Sequence, residues 1–155
     1  MLFFLIGISR IFIPYDDMTP EEYRNQLLQK TKGFYSKIEK VYSPCIKDHI
    51  YFNAQGFHHL QYENSGTPRT IAEQIYKLKL FPLVIPTIKK CKVVDEKKIV
   101  RIHVGRKKKA KIKDAEFWSL VHDGVGKKGK AKVRVIIRKI GTGNFIYWSV
   151  MKLGG

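Results

Sequence analysis

The spacing of the apolar residues changes once along this chain, and that change constrains the fold more than any other feature. Up to about residue 90 the apolar residues recur at helical spacing, whereas from Val93 onwards the spacing shortens to two. Helices followed by a run of strands are typical of an α+β domain. The sequence therefore predicts an α+β fold in which N-terminal helices pack on an antiparallel β-sheet meander.

Three helices are predicted in the first part of the chain. Thr19 is a good N-cap, and Glu22 three residues later completes a capping box. Apolar residues then repeat along one face, so this helix is expected to run as far as Ser43. A second helix is expected to begin near Thr67, and a shorter helical segment is expected over about residues 83–90.

Between these helices the chain is predicted to be extended. Residues 49–53 are predicted as a short strand, and Gly56 is expected to turn the chain into residues 57–62, which contain His58 and His59. Because successive side chains of a strand point to opposite faces, at most one of the two histidines is expected to enter a site. An imidazole suits proton transfer at neutral pH, although a histidine is more often a structural polar residue.

The second half is predicted as a meander of short strands. Its parts in chain order are a hairpin turning at 95–97, a lysine-rich loop over 106–113, a strand over 116–121, a flexible connection over 124–129, and a hairpin of strands 133–140 and 145–151. If Ile140 faces Phe145 in the last hairpin, Ile137 opposes Trp148 on an apolar face. The reverse face then carries a polar set, which is a candidate phosphate-binding platform: Arg134, Arg138, Tyr147 and Ser149. A solvated sheet face is the alternative.

The charge of the chain points to a polyanionic partner. Lys and Arg number 30 against 13 Asp and Glu, a formal net charge of +17. Between Lys89 and Lys139 there are 19 basic and 5 acidic residues, and 19 minus 5 gives +14. RNA is the expected partner, and an anionic membrane surface is the weaker alternative. A lysine run is also typical of a solvated loop, but the following residues are predicted to contact nucleic acid: Lys79, Arg106, Lys107, Lys108, Lys109, Lys111, Lys127 and Lys128.

Neither a metal nor a cofactor is expected. Cys45 and Cys91 lie far apart in sequence without a neighbouring Cys or His, which excludes a zinc finger and favours reduced, buried thiols. There is no glycine-rich phosphate loop and no carboxylate cluster. Any phosphodiester chemistry is therefore predicted to be metal-free.

Residues 1–17 form an apolar leader ahead of a predicted domain over 18–155. Its apolar run over residues 2–8 is too short for a transmembrane helix, and it lacks the basic region and cleavage site of a signal peptide. An extra strand, a partner-binding segment and an artefact of the start codon remain open as explanations. A cytoplasmic location is expected.

Short motifs in the chain follow a defined order. Residues 56–62 read GFHHLQY, Arg69 and Glu73 come next, residues 78–82 read LKLFP, and the last hairpin closes the chain. Over about residues 18–152 this order resembles the barnase–EndoU–colicin–RelE-like nucleases, particularly those of phage polyvalent proteins and toxin systems. The resemblance implies a helical part packed on a four-stranded antiparallel sheet, with metal-independent RNA cleavage on that sheet.

The same resemblance implies roles for single residues. The early histidine of the family corresponds to His59 or His58, and the basic residue before the helix corresponds to Arg69. The basic strand residue corresponds to Arg134 or Arg138, and the late hydroxyl to Ser149. Lys79 is a further candidate.

Together these observations predict an endoribonuclease acting as a toxin or phage-related effector. A neutral histidine would deprotonate the 2′-hydroxyl, arginines would stabilise the phosphorane, and Ser149 or Tyr147 would orient a phosphate oxygen or relay a proton. A non-catalytic RNA- or ribosome-binding protein is the alternative. An interaction module whose leader docks on an acidic, antitoxin-like partner is the third.

Overall fold

The computed structural model describes residues 17–122 and 133–153. Short 3-10 turns lie at Phe81–Leu83 and Lys107–Lys109. The leader up to residue 16 and the predicted connection over 124–129, with Lys127 and Lys128, lie outside the described residues. In chain order the helices and strands of the described part are α1 (Pro20–Tyr35), β1 (Lys40–Ser43), β2 (Asp48–Tyr51), α2 (Ala54–His58), α3 (Ile71–Leu80), α4 (Val84–Lys90), β3 (Val94–Val104), β4 (Lys111–Val121), β5 (Val133–Ile140) and β6 (Phe145–Lys152).

The described strands form one sheet in the order β1-β2-β6-β5-β4-β3, so the predicted α+β class is confirmed. Strands β3 to β6 make the predicted antiparallel meander. The β1–β2 hairpin extends this meander through parallel pairing of β2 with β6. The sheet is therefore mixed.

Helix α1 begins as predicted and ends earlier. Thr19 and Glu22 form the reciprocal capping box at its start. The helix stops at Tyr35 instead of Ser43, and a tighter turn follows in which the N–H groups of Lys37 and Ile38 donate to the carbonyls of Phe34 and Tyr35. Val41, which continues the helical apolar spacing, lies in β1 and packs into the core from there.

A short helix replaces the predicted extended segment around the two histidines. The Asn53 side chain accepts hydrogen bonds from the backbone N–H groups of Gln55 and Gly56 at 3.1 and 3.2 Å, which caps α2. His58 is consequently exposed at the end of this helix, and His59 is buried as its C-cap residue. A side-chain cap of this kind favours helix over strand.

Helices α3 and α4 lie close to their predicted positions. Thr70 caps α3 and forms a capping box with Glu73, three residues after the predicted start near Thr67. Helix α4 matches the segment predicted over residues 83–90. None of the helices in residues 17–122 and 133–153 has the length and apolar character needed to cross a membrane.

Strand β3 is continuous where a turn was predicted at 95–97. Its residues pair with β4 from Val94↔Leu120 to Val104↔Lys111, with one register shift near the start. The reversal lies after Gly105, whose φ of 106° few other residues adopt. Residues 95–97 are charged, as turn residues often are, but here they lie in an exposed strand. This is why a turn was predicted at 95–97. Strand β4 likewise begins at Lys111, inside the predicted loop.

The core lies between the helices and one face of the sheet. Four aromatic rings meet there, and the rings of Phe52 and Tyr147 stack with centroids 5.2 Å apart. Tyr35 and Phe81 complete this cluster. Both cysteines are free, as predicted, although Cys45 is only half-buried and Cys91 is fully buried.

Candidate functional site

A one-residue bulge in β6 sets which side chains reach the candidate site. Strands β5 and β6 keep the predicted register from Arg134↔Met151 to Ile136↔Ser149, and then Ile137 pairs with Tyr147 instead of Trp148. A bulge adds one residue to one strand and so reverses the alternation of faces beyond it. Tyr147 therefore lies in the core, and Trp148 lies on the face that carries Arg138. The predicted pairs Arg138–Tyr147 and Ile137–Trp148 were wrong.

Trp148 joins an arginine to a histidine on this face. The Arg138 guanidinium carbon lies 3.6 Å from the centroid of the Trp148 ring, a close cation–π contact. The centroid of the His59 ring lies 4.0 Å from that of Trp148. Arg138 Nη2 also donates to Gln55 Oε1 at 2.8 Å, which fixes the guanidinium between α2 and the sheet. The bulge thus brings residues from β5, β6 and the α2 C-terminus together.

His59 is held in its neutral form. Its side chain is 7% exposed, and its Nδ1 atom is buried without a hydrogen-bond partner among the described residues. Burial lowers the pKa of His59 to about 4, and the charges of Arg69, Arg138, His58 and Lys77 act in the same direction. An unpartnered buried nitrogen is uncommon in proteins and is consistent with a ligand-binding position.

Lys77 is the main residue of this site that sequence reasoning missed. It projects from α3 and is only 8% exposed. Its Nζ atom donates to the Val150 carbonyl oxygen at 2.6 Å and to Ser149 Oγ at 3.2 Å. Burial and then the charge of Arg69 lower the pKa of Lys77 to about 8, while Glu73 acts in the opposite direction. At pH 7 the ammonium form predominates.

Arg69 connects the two helices that flank the site. Its Nε atom donates to the His59 carbonyl oxygen at 3.0 Å, and Thr70, the next residue, caps α3. The guanidinium therefore anchors the backbone of His59, and α3 carries Lys77 to the same place.

An open cavity of about 510 Å³ lies where these groups converge. His59, Arg69, Lys77, Trp148 and Ser149 line it, and Glu63 is the acidic residue among its described lining. A neighbouring recess of about 400 Å³ shares His59, Asn64 and Trp148 with the cavity and adds Arg138, Gln55 and His58. His58 stacks on Tyr62 there, with centroids 4.2 Å apart. The arrangement offers a neutral imidazole, one buried and one half-buried positive charge, and a hydroxyl to one ligand.

Three of the predicted site residues lie elsewhere. Arg134 forms an ion pair with Asp95 of β3, with Nη2 and Oδ2 3.2 Å apart. Tyr147 is fully buried in the core, and burial raises its pKa well above the ordinary value. Lys79 is exposed and lines a groove between α1 and the end of α3. The cavity and its recess therefore bring together His58, His59, Arg69, Arg138 and Ser149 of the predicted set.

The predicted nucleic-acid-binding residues of the lysine run form a separate region. Arg106, Lys108, Lys109 and Lys111 are exposed at the outer end of the β3–β4 hairpin, and the backbone of Lys107 lies in the same turn. None of them is among the residues described as lining the cavity or the recess.

No cluster of three or more His, Cys, Asp or Glu side chains with the spacing of a metal site occurs within residues 17–122 and 133–153. Comparison of the chain with family models, with curated proteins and with solved structures found no match. The function is accordingly argued from the site itself.

The burial of a neutral His59 predicts that acid destabilises the protein. An unfolded histidine titrates near pH 6.5 and the folded one at about 4, so the unfolded chain binds the proton first as the pH falls. Between pH 6.5 and 4 we expect the free energy of unfolding to fall by about 3 kcal/mol on this account. Urea unfolding of the native protein and of His59→Gln at pH 7, 5 and 4 measures the effect. His103→Gln, at an exposed position, is the control. If the free energy of unfolding fell with pH by the same amount in all three proteins, the prediction would be contradicted.

Proposed function

We propose that this chain is a metal-independent endoribonuclease that cleaves RNA by attack of a 2′-hydroxyl on the adjacent phosphorus. The observation that supports this most is the convergence of His59, Lys77 and Ser149 on one open cavity beside Arg69. Cleavage of this kind needs a base for the 2′-hydroxyl, positive charge beside the phosphorane, and a proton for the leaving oxygen. Residues of each type line the cavity.

His59 is the base in this proposal. The neutral imidazole removes the proton of the 2′-hydroxyl, the 2′-oxygen attacks the phosphorus, and the bond to the 5′-oxygen breaks. Lys77 and Arg69 stabilise the additional negative charge of the phosphorane, an electrostatic contribution often worth several kcal/mol. Lys77 is protonated at pH 7 and donates to Ser149 Oγ, so the 5′-oxygen receives its proton through that hydroxyl. The products are a 2′,3′-cyclic phosphate and a 5′-hydroxyl.

Arg138 and Trp148 have a positioning role in the proposal. Their stacked side chains stand between the cavity and the recess, so a nucleotide next to the reacting phosphate meets both a planar ring and a positive charge. Stacking of bases on aromatic side chains is the common way in which proteins hold unpaired nucleotides.

The proposed biological role is that of a toxin or phage-related effector in the cytoplasm, where RNA is its substrate. The formal net charge of +17 supports an acidic antitoxin or immunity protein as a second partner, because such a protein would compete with RNA for the same positive surface.

Cleavage of a short RNA in a chelator tests the proposed reaction. We expect single-turnover cleavage in EDTA that yields a cyclic phosphate, and we expect no cleavage after 2′-deoxy substitution of the nucleotide before the cut. Lys77→Met should slow the bound-state rate far more than it weakens binding, whereas Lys108→Ala should do the reverse. Cleavage of the deoxy substrate, or loss of activity that a divalent ion restores, would overturn the mechanism.

A non-catalytic RNA- or ribosome-binding protein is the second candidate, and the pKa of His59 favours it. A histidine whose pKa lies at about 4 is a weak base at neutral pH, since a general base works best with a pKa near the operating pH. Under this alternative the chain binds RNA with an affinity that falls steeply with salt and cleaves none of it. Single-turnover assays at saturating protein separate the two.

A further inference from the structure

The outer part of the β3–β4 hairpin extends beyond the rest of the sheet. Strands β3 and β4 stay paired as far as Val104↔Lys111, whereas β5 pairs with β4 only from Ala115 onwards. Residues 101–114, here called the basic arm, therefore form a two-stranded ribbon with no third strand of the described chain beside it. At about 3.3 Å per strand residue, plus the turn, the arm projects roughly 15 Å past β5.

The basic arm carries a dense positive charge. It holds seven Lys and Arg residues and one acidic residue, Asp114, so seven minus one gives a net charge of +6. Asp114 is paired with Arg101 at 3.9 Å, and both of these side chains are more than half exposed. An exposed pair of that kind contributes little. The arm is thus suited to a ligand with closely spaced negative charges.

The arm carries few side chains on which unpaired bases could stack. Residues 101–114 read RIHVGRKKKAKIKD and contain no Phe, Tyr or Trp. Surfaces for single-stranded nucleic acid usually combine positive charge with aromatic rings on which bases stack. The cavity and its recess have aromatic rings of this kind in Trp148 and His58, whereas the ring on the arm is the imidazole of His103. The arm therefore offers mainly phosphate contacts, and a base-paired helix presents phosphates at higher density than a single strand does.

We propose that the basic arm binds the phosphates of a base-paired RNA stem. The RNA that this chain recognises then has a stem on the arm and unpaired nucleotides at the cavity. The inference rests on the proposed function for RNA as the partner and adds the form of that RNA. It does not depend on cleavage.

Binding of matched 2′-O-methyl RNAs tests the proposal, because RNA without a free 2′-hydroxyl reports binding whether or not the chain cleaves. The probes are a stem-loop and its loop sequence as a single strand, titrated by fluorescence anisotropy at several salt concentrations. We expect the native protein to bind the stem-loop about tenfold or more tightly than the single strand, as several additional phosphate contacts imply.

A variant that loses three positive charges from the arm is then compared with a variant that loses three positive charges elsewhere on the surface. Lys108→Gln, Lys109→Gln and Lys111→Gln together should remove most of the preference for the stem-loop and lower its salt slope by about one for each phosphate that the variant no longer binds. Lys30→Gln, Lys32→Gln and Lys37→Gln together remove the same charge from exposed positions on and after α1 and should leave the preference intact. Circular dichroism checks that both variants are folded.

Three results would overturn the proposal. They are equal binding of the two RNAs by the native protein, equal weakening of both RNAs by the arm variant, and an equal loss of preference in the control variant. The first two leave RNA binding and the proposed cleavage standing. Conversely, a stem preference that depends on the arm, without cleavage of unmodified RNA, would support this inference and remove the proposed reaction.

Discussion

Lys77→Met is expected to slow RNA cleavage strongly and to leave the free energy of unfolding at pH 7 nearly unchanged. Lys77 is buried, and its pKa of about 8 lies below that of an unfolded lysine, near 10.5. The unfolded chain therefore binds the proton more tightly, and below about pH 8 the charged side chain destabilises the fold by about 3 kcal/mol. Methionine has a similar length and no charge, so it removes that penalty. The two hydrogen bonds that disappear have a charged donor and contribute about 1.5 kcal/mol each, so the gain and the loss roughly cancel.

Cleavage should fall by about 10²–10³-fold in the same variant, because the buried positive charge stabilises the phosphorane. The native pH–rate profile should rise through about pH 4, where His59 loses its proton, and fall through about pH 8, where Lys77 does. The titratable and charged groups around Lys77 are Arg69 and Glu73 on its side of the site, and Glu63 and the neutral His59 across the cavity. Lys77→Arg keeps its charge at higher pH, so the fall in rate on the alkaline side of the profile should move to higher pH.

Single-turnover cleavage at saturating enzyme and urea unfolding at pH 7 measure the two effects. Lys79→Met is the matched control, since Lys79 is exposed on the same helix and lines a different groove. It should change neither quantity appreciably. A Lys77→Met protein that cleaves RNA at the native rate would contradict the role assigned to Lys77.

Elements set by neighbouring residues were predictable from the sequence. The capping box of Thr19 and Glu22 depends on residues three apart, and the structure has it as predicted. The last hairpin was also predicted with its turn, where Gly141 adopts a φ of 55°. In both cases the residues that determine the conformation lie within one turn of the chain, so no knowledge of the tertiary structure was needed.

The errors arose where distant residues determine the conformation. Val41 continues the apolar spacing of α1 but is buried from β1, which pairs with β2, and the apolar spacing alone does not show that pairing. The bulge at Trp148 has no signature in the composition of β6, yet it exchanges the places of Tyr147 and Trp148. Because the bulge was not foreseen, the prediction placed Tyr147 in the site and Trp148 on the apolar face.

Lys77 was missed for a different reason. A lysine on a helix is usually a solvent-exposed residue, and the apolar positions of α3 predicted a core face without it. Gln74 and Lys77 lie three residues apart and are both buried; Gln74 bonds to Arg24 of α1, and Lys77 bonds to β6. Two polar residues at helical spacing beside apolar ones were the available signal, and that signal becomes informative only once the partner strand is known.

Gly56→Ala is expected to destabilise the protein by about 3 kcal/mol and to impair the site as well. A Cβ atom at Gly56 would lie 2.6 Å from the Tyr147 carbonyl oxygen, 2.8 Å from Tyr147 Cδ2 and 2.5 Å from the Tyr35 hydroxyl. The backbone of β6 and two buried rings have no free space into which to move. Helix α2 must then shift away from β6, although it is this close approach that brings the His59 ring to within 4.0 Å of Trp148.

A second glycine provides the control for that change. Gly33 lies on the exposed side of α1, and an added Cβ would meet no atom within 4 Å. Gly33→Ala should therefore raise the free energy of unfolding by up to about 1 kcal/mol through helix propensity and leave cleavage unchanged. Urea unfolding followed by tryptophan fluorescence gives both stabilities, and the bound-state cleavage rate reports on the site. If Gly56→Ala were as stable and as active as Gly33→Ala, the packing of α2 against β6 would not be what positions His59, and the site would have to be assembled by Arg69 and α3 instead.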